Sequence, residues 1–204
     1  MNENEIQPKE DENSNEFPNL TTGKLLILSV VSANIYVFFS FLIIRYWHEG
    51  DLSDVLESSF TFWNQAGIGV GIGCLAAGII YSAIRWTPIN DVLSDFSIFE
   101  ALSKTKFSLF DRIQISLFAG GGEELLFRGA IQPLLGNTVT SIIFIGIHGY
   151  FKFKSPKHIL FGGLMFGLSF MLGLLYEHIG LMAAMCAHAV YDLIMLQVVQ
   201  TYLK

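Results

Sequence analysis

Charge is scarce in this chain. Asp, Glu, Lys and Arg make up only 15% of its 204 residues, against 52% hydrophobic residues, and the mean hydropathy is +0.50. Soluble domains carry about 25% charged residues, so a water-exposed fold is excluded and a polytopic membrane protein is expected. Cysteine is scarcer still. Cys74 and Cys186 are the only two, and both sit inside apolar runs, so no disulfide framework is expected and buried packing is their expected role. The N-terminus lacks a basic start followed by an apolar core, so it does not read as a signal peptide. The net charge is −6, and no nucleic-acid partner is expected. Two catalytic signatures are missing as well. Without a His-Glu-x-x-His helix a zincin-like arrangement is excluded, and no serine or cysteine lies beside a histidine at recognisable spacing, Ser169 having only weak claims.

What is present is a series of apolar runs. At about 20 residues per crossing the chain has room for about six. They are expected at about 25–44, 65–84, 113–135, 139–150, 159–176 and 179–202, the fourth of them short. The fold class is therefore all-α, a polytopic membrane helix bundle of one domain. Residues 1–23 hold six acids against Lys9 and read as a disordered acidic cytoplasmic tail, ahead of a membrane domain at 24–204. Between Pro88 and Phe110 the chain turns amphipathic, with Val92, Phe96, Ile98, Phe99 and Leu102 at helical spacing, and a helix lying in the membrane interface is expected. Basic residues set the orientation. With the N-terminus inside, Lys9, Lys24, Arg85, Lys104, Lys106, Arg112, Lys152, Lys154, Lys157 and Lys204 fall on the cytoplasmic side and only Arg45 on the other. Both ends are thus cytoplasmic. The alternating Gly67, Gly69, Gly71 and Gly73, and the pair Gly163 and Gly167, mark close helix packing.

Against this background, Gly120-Gly121-Gly122-Glu123-Glu124-Leu125-Leu126-Phe127-Arg128 is costly. A charge near the bilayer centre costs at least ~2.5 to 3.5 kcal/mol, so two carboxylates and a guanidinium need pairing or a wet cavity. Glu124 and Arg128 stand four apart, share a helix face and can pair. Glu123 points about 100° away and is left free for general-base work. Phe144 and His148 share a second face, and His188 and Asp192 a third, so the polar groups of three helices can converge. The three glycines would allow close approach by another helix or by a peptide. Taken singly, each histidine reads equally well as a helix contact, and the Glu124–Arg128 pair as pure structure. Taken together they exceed what stability favours over apolar packing. His48, His158 and His178 lie at loop edges and read as wet surface positions.

The pattern Glu123-Glu124-x-x-x-Arg128, then Phe144-x-x-x-His148, then His188-x-x-x-Asp192 resembles the three motifs of the CPBP family, also called Abi. That family comprises CAAX prenyl proteases of the Ras-converting type and bacterial relatives described as intramembrane metalloproteases. The resemblance covers about 113–196. It implies an intramembrane endopeptidase with Glu123 as base, Glu124 and Arg128 as the second acidic and basic positions, and His148 helping to bind water or metal. His188 and Asp192 would match the third motif, where Asp stands in place of the Asn found in the Ras-converting branch. A catalytic zinc on His148, His188 and Asp192 and a metal-independent water both stay open at this point. The expected function is hydrolysis of a peptide bond in a membrane-associated or lipid-modified substrate, in a bacterial plasma membrane ahead of an endoplasmic reticulum. The alternatives are a non-hydrolytic immunity or maturation scaffold of the same fold, or an ion- or proton-coupled transporter.

Overall fold

The computed structural model describes residues 21–96, 99, 102 and 105–202. Most of the expected acidic tail, with Lys9, and also Ile98, Lys104 and Lys204, lie outside the described residues. Among the described residues all regular structure is helical: α1 (Thr22–Trp47), α2 (Leu52–Leu56), α3 (Phe62–Trp86), a 3-10 segment (Pro88–Asp95), α4 (Leu109–Glu124), a π-helical segment (Leu125–Ile131), α5 (Gln132–Ile147), α6 (Pro156–His178) and α7 (Leu181–Tyr202). Local chemistry sets the starts. Thr21 and Thr61 cap α1 and α3 by accepting from the backbone N–H groups of Lys24 and Asn64, and Ser108 with Asp111 forms a reciprocal capping box at α4. Asp51 caps α2 in the loop between the first two long helices. Hydrogen bonds from the Ser53 hydroxyl and N–H hold its carboxyl below the usual carboxylate range.

Five helical stretches are long and apolar enough to cross a membrane, Thr22–Trp47, Phe62–Trp86, Leu109–Ile147, Pro156–His178 and Leu181–Thr201. The third of them joins what the sequence separates into crossings three and four. It is continuous only in hydrogen bonding. At Gly136 the backbone takes φ 76° and ψ 161°, a conformation open to glycine, and the chain folds back on itself. A straight helix would set Arg128 and Ser141 about 20 Å apart, yet the Arg128 guanidinium reaches the Ser141 hydroxyl at 3.5 Å. The rings of Phe127 and Phe144 likewise meet with centroids 4.9 Å apart. The returning limb rises only about 16 Å from Asn137 to Ile147, which is half a bilayer core. It ends early at His148 because Gly149, at φ 73°, closes a tight C-terminal turn.

Cross-helix contacts give six passes of alternating direction. Thr22 donates to the Lys106 carbonyl and Gln200 to the Thr105 carbonyl, so both described ends lie at one end of the bundle. That end also carries Arg112, which bonds Gln197, and the loop of Lys152, Lys154 and Lys157, the last paired with Asp91 at 2.5 Å. Arg45 closes α1 at the opposite end. The positive-inside rule assigns the basic end to the cytoplasm. Exposed aromatics ring both ends, Tyr46, Trp47, Phe62 and Trp63 at one and Trp86, Phe110, Phe151 and Phe153 at the other.

Several expectations change. The segment after Pro88 does not lie on the interface with its apolar face in lipid. Ile89, Val92, Leu93, Phe96 and Phe99 are buried, with Phe96 and Phe99 packed on Phe161 of α6 at 4.9 and 5.6 Å. His158 is not a wet surface residue. It is buried, and its ring bonds Asp95 at 3.0 Å and Ser155 at 2.8 Å, tying α6 to the 3-10 segment. His48 is half-buried and donates to the Ala130 carbonyl at 2.8 Å. Gly69 and Gly73 do pack, against Ala183 and Ala187 of α7, whereas Gly67, Gly71, Gly163 and Gly167 face open space. Cys74 is exposed toward lipid and does not pack in the core.

The fold-back at Gly136 is testable by thiol labelling. Cysteines placed at exposed Leu135 and Lys154 are expected to react with an impermeant reagent from opposite sides of the membrane, Lys154 from the cytoplasm. Reaction of both from one side contradicts the six-pass path.

Candidate active site

The charged cluster lies about 22 Å along α4 from Leu109. Glu124 and Arg128 are both fully buried, at 0% exposure, with Glu124 Oε2 accepting from Arg128 Nε at 3.0 Å. The rest of the guanidinium is satisfied too. Nη1 donates to Gln132 Oε1 at 3.2 Å, Nη2 donates to Ser169 Oγ at 2.7 Å, and the Phe144 ring lies 5.7 Å from Cζ. Ser169 is thereby an anchor for Arg128, and its weak claim to be a nucleophile falls away. Glu124 has a second partner that spacing could not reveal. Its Oε1 accepts from His188 Nδ1 of α7 at 2.7 Å, so one buried carboxylate joins α4, the π segment and α7.

Two glycines make that contact geometrically possible. A side chain at Gly120 would strike the backbone of Met185 and Ala189 in α7, and one at Gly122 would strike Ala33 of α1. The triple glycine therefore serves helix approach on both sides of α4. Gly121 faces open space.

Glu123 turns away from the ion pair, as the helix geometry requires. Its Oε2 stands 3.5 Å from His148 Nε2. The His148 ring is fixed on three counts: Nδ1 lies 2.7 Å from the Phe144 carbonyl, Phe144 stacks on the ring at 4.3 Å, and Tyr150 lies parallel to it at 5.9 Å. A carbonyl can only accept, so Nδ1 carries the proton and Nε2 is the nitrogen turned toward Glu123. His188 repeats the logic. Nδ1 donates to Glu124, leaving Nε2 3.5 Å from Asp192 Oδ2. Each imidazole thus has one nitrogen committed to the scaffold and the other facing a carboxylate.

These groups share one cavity of about 300 Å³. Glu123, His148, His188 and Asp192 line its polar end, with Tyr36 and Tyr150 beside them. The remainder is apolar and runs between α1, α4 and α7 past Leu28, Phe118, Leu196 and Val199 toward the basic end of the bundle. Such a cavity can hold an extended apolar chain segment with its polar backbone at the charged end.

The six residues singled out from sequence, Glu123, Glu124, Arg128, His148, His188 and Asp192, are all within this cluster. They do not form a metal shell. Among the described residues no three His, Cys, Asp or Glu side chains are gathered to hold a metal ion. The Nε2 atoms of His148 and His188 each face a different carboxylate at 3.5 Å, so the zinc ligand set of His148, His188 and Asp192 is not gathered on one point in this geometry, and no step below is routed through a metal. Sequence reasoning also missed Gln132, Ser141 and Tyr150. For Gln132 a signal existed, since it continues the four-residue ladder from Glu124 through Arg128.

Residues 105–194 match the family described as Type II CAAX prenyl endopeptidase Rce1-like, a stretch that contains all six residues. That stretch of the chain is similar to the family, and the five long apolar helices make the chain an integral, multi-pass membrane protein. It is 29% identical over 177 residues to uncharacterized protein YpbD of Bacillus subtilis (strain 168), covering 84% of this chain and 82% of that protein. No solved structure matches.

The Ser169 contact gives a prediction. Ser169→Ala leaves a buried guanidinium N–H without its acceptor and is expected to cost about 1–3 kcal/mol, read as a lowered melting temperature in detergent. An unchanged melting temperature contradicts the anchoring role.

Proposed function

We propose that this protein is an intramembrane endopeptidase that hydrolyses a peptide bond with water activated by Glu123 and His148. The observation that carries the reading is the Glu123–His148 pair. At 3.5 Å the two atoms are too far apart for a full direct hydrogen bond yet close enough to be bridged laterally by one water. Both are acceptors when Glu123 is ionised and His148 neutral, so the water donates to each and turns a lone pair toward the cavity.

The water oxygen attacks the scissile carbonyl carbon as its proton passes to Glu123. The carbonyl electron pair moves onto oxygen, where a donor is needed. His188 supplies it. Held through Nδ1 by Glu124, its Nε2 points into the cavity as the imidazolium, the form that satisfies the carboxylates on both of its sides. Asp192 acts as an acceptor that keeps that ring in place and balances its charge. Collapse of the tetrahedral intermediate breaks the C–N bond, and Glu123 returns its proton to the departing amine. The products are a carboxylic acid and an amine, and the acid's proton, the second one of the water, passes to the amine to leave a carboxylate and an ammonium. The apolar stretch of the cavity favours a membrane-associated or lipid-modified substrate.

Glu123→Gln tests the proposal. Glutamine keeps size and hydrogen bonding but cannot take a proton, so cleavage of a reporter peptide by the protein in nanodiscs is expected to fall at least about 100-fold, with the melting temperature unchanged. Retained turnover removes Glu123 as base. A wild type that itself fails to cleave would favour the scaffold alternative.

A further inference from the structure

The contacts of Arg128 do not stop at the cleavage site. Gln132 Oε1 accepts from Arg128 Nη1 at 3.2 Å, and Gln132 Nε2 donates to Glu177 Oε1 at 2.8 Å and to the Gly173 carbonyl at 3.1 Å. A glutamine amide has one accepting end and one donating end. Turned over, this one would set its NH2 against a guanidinium and its oxygen against a carboxylate and a carbonyl. The acceptors on α6 therefore decide which end Arg128 meets. A continuous chain results, Glu177 to Gln132, Gln132 to Arg128, Arg128 to Glu124 at 3.0 Å and Glu124 to His188 at 2.7 Å.

Its outer member is unlike the rest. Glu177 is exposed in the last turn of α6, at the end of the bundle opposite the basic loops, while Gln132, Arg128, Glu124 and His188 are all buried. A surface carboxylate on a membrane helix needs no partner to be stable in water, and a surface pair is worth little. Glu177 instead spends its side chain on a buried amide.

We propose that Glu177 is a positioning residue for the cleavage reaction, acting through Gln132, Arg128 and Glu124 on the orientation of His188. The proposal rests on the proteolytic reading above. It is not a proton path. The guanidinium stays protonated and the amide does not titrate, so what travels along the chain is geometry and field. Gly173 holds the same amide nitrogen, so removing Glu177 weakens the arrangement without abolishing it.

The test uses the full chain in nanodiscs, with Glu177→Leu, Glu177→Gln and, as a control at another exposed acid, Glu57→Leu. Turnover of a reporter peptide is measured together with the titration of the His188 ring by NMR. Glu177→Leu is expected to lower kcat by about three- to tenfold, the net scale of one ordinary hydrogen bond, with KM nearly unchanged and the His188 titration moved. Glu177→Gln, whose amide oxygen still accepts from Gln132, is expected to recover most of that loss, and Glu57→Leu to behave as wild type. Wild-type kcat and an unmoved His188 in Glu177→Leu overturn the proposal, as does an equal loss in Glu57→Leu. If Leu at 177 fails to fold, Glu177→Ala takes its place with the same expectations. If the wild type does not cleave at all, the proteolytic reading fails, and the His188 titration alone decides whether Glu177 positions that ring.

Discussion

A carboxylate and a guanidinium with no exposure to solvent, 3.0 Å apart, hold this bundle in register. Taking both charges out of water costs several kcal/mol each, and their attraction repays that only if the remaining donors and acceptors are also met. They are met here by residues from four parts of the chain: Gln132 at the start of α5, Ser141 beyond the fold-back, Ser169 on α6 and His188 on α7. Much of the topology follows from that demand. The reversal at Gly136 returns Ser141 to Arg128, and the glycines at 120 and 122 let α7 and α1 close on α4 so that His188 can reach Glu124. In hydrocarbon nothing else could satisfy those atoms.

The ion pair also divides labour between neighbouring carboxylates. Glu124 is fully used by Arg128 and His188, while Glu123, one residue earlier and a quarter-turn or so around the helix, faces the cavity. The segment that follows, Leu125–Ile131, is π-helical, a form that costs stability and recurs at functional sites. Its Gly129 lies under Val55 of α2, and its Ala130 carbonyl accepts from His48. The loop between α1 and α3 is thus braced directly against the irregular turn that carries Arg128.

Much of this was legible in the sequence, because membrane insertion makes polar residues conspicuous. Each of the three i, i+4 pairs lies on one helix face as spacing dictates, and the basic residues gather at one end of the bundle. Contacts between helices were not legible. Spacing along one helix says nothing about Glu124 meeting His188, nor about Ser169 of α6 meeting Arg128. The histidine reading failed at His158 for a related reason. Sequence places it at a loop edge, but the 3-10 segment folds over that edge and buries it against Asp95. The fold-back was legible as a boundary, since the expected third and fourth crossings part between 135 and 139, and what the sequence did not show is the device that makes it, the positive φ of Gly136.

The central claim is that the Glu124–Arg128 pair is a structural unit on which the site is built. A double-mutant cycle in stability measures it most directly, using Glu124→Gln, Arg128→Met and both together, each purified in the same detergent and melted. Either single change strands a buried partner and is expected to cost about 3–5 kcal/mol. The double variant is expected to regain much of that loss, giving a coupling of at least about 1 kcal/mol, yet to remain without turnover because His188 has lost the carboxylate that holds Nδ1. Losses that simply add, with no coupling between the two positions, would contradict the account.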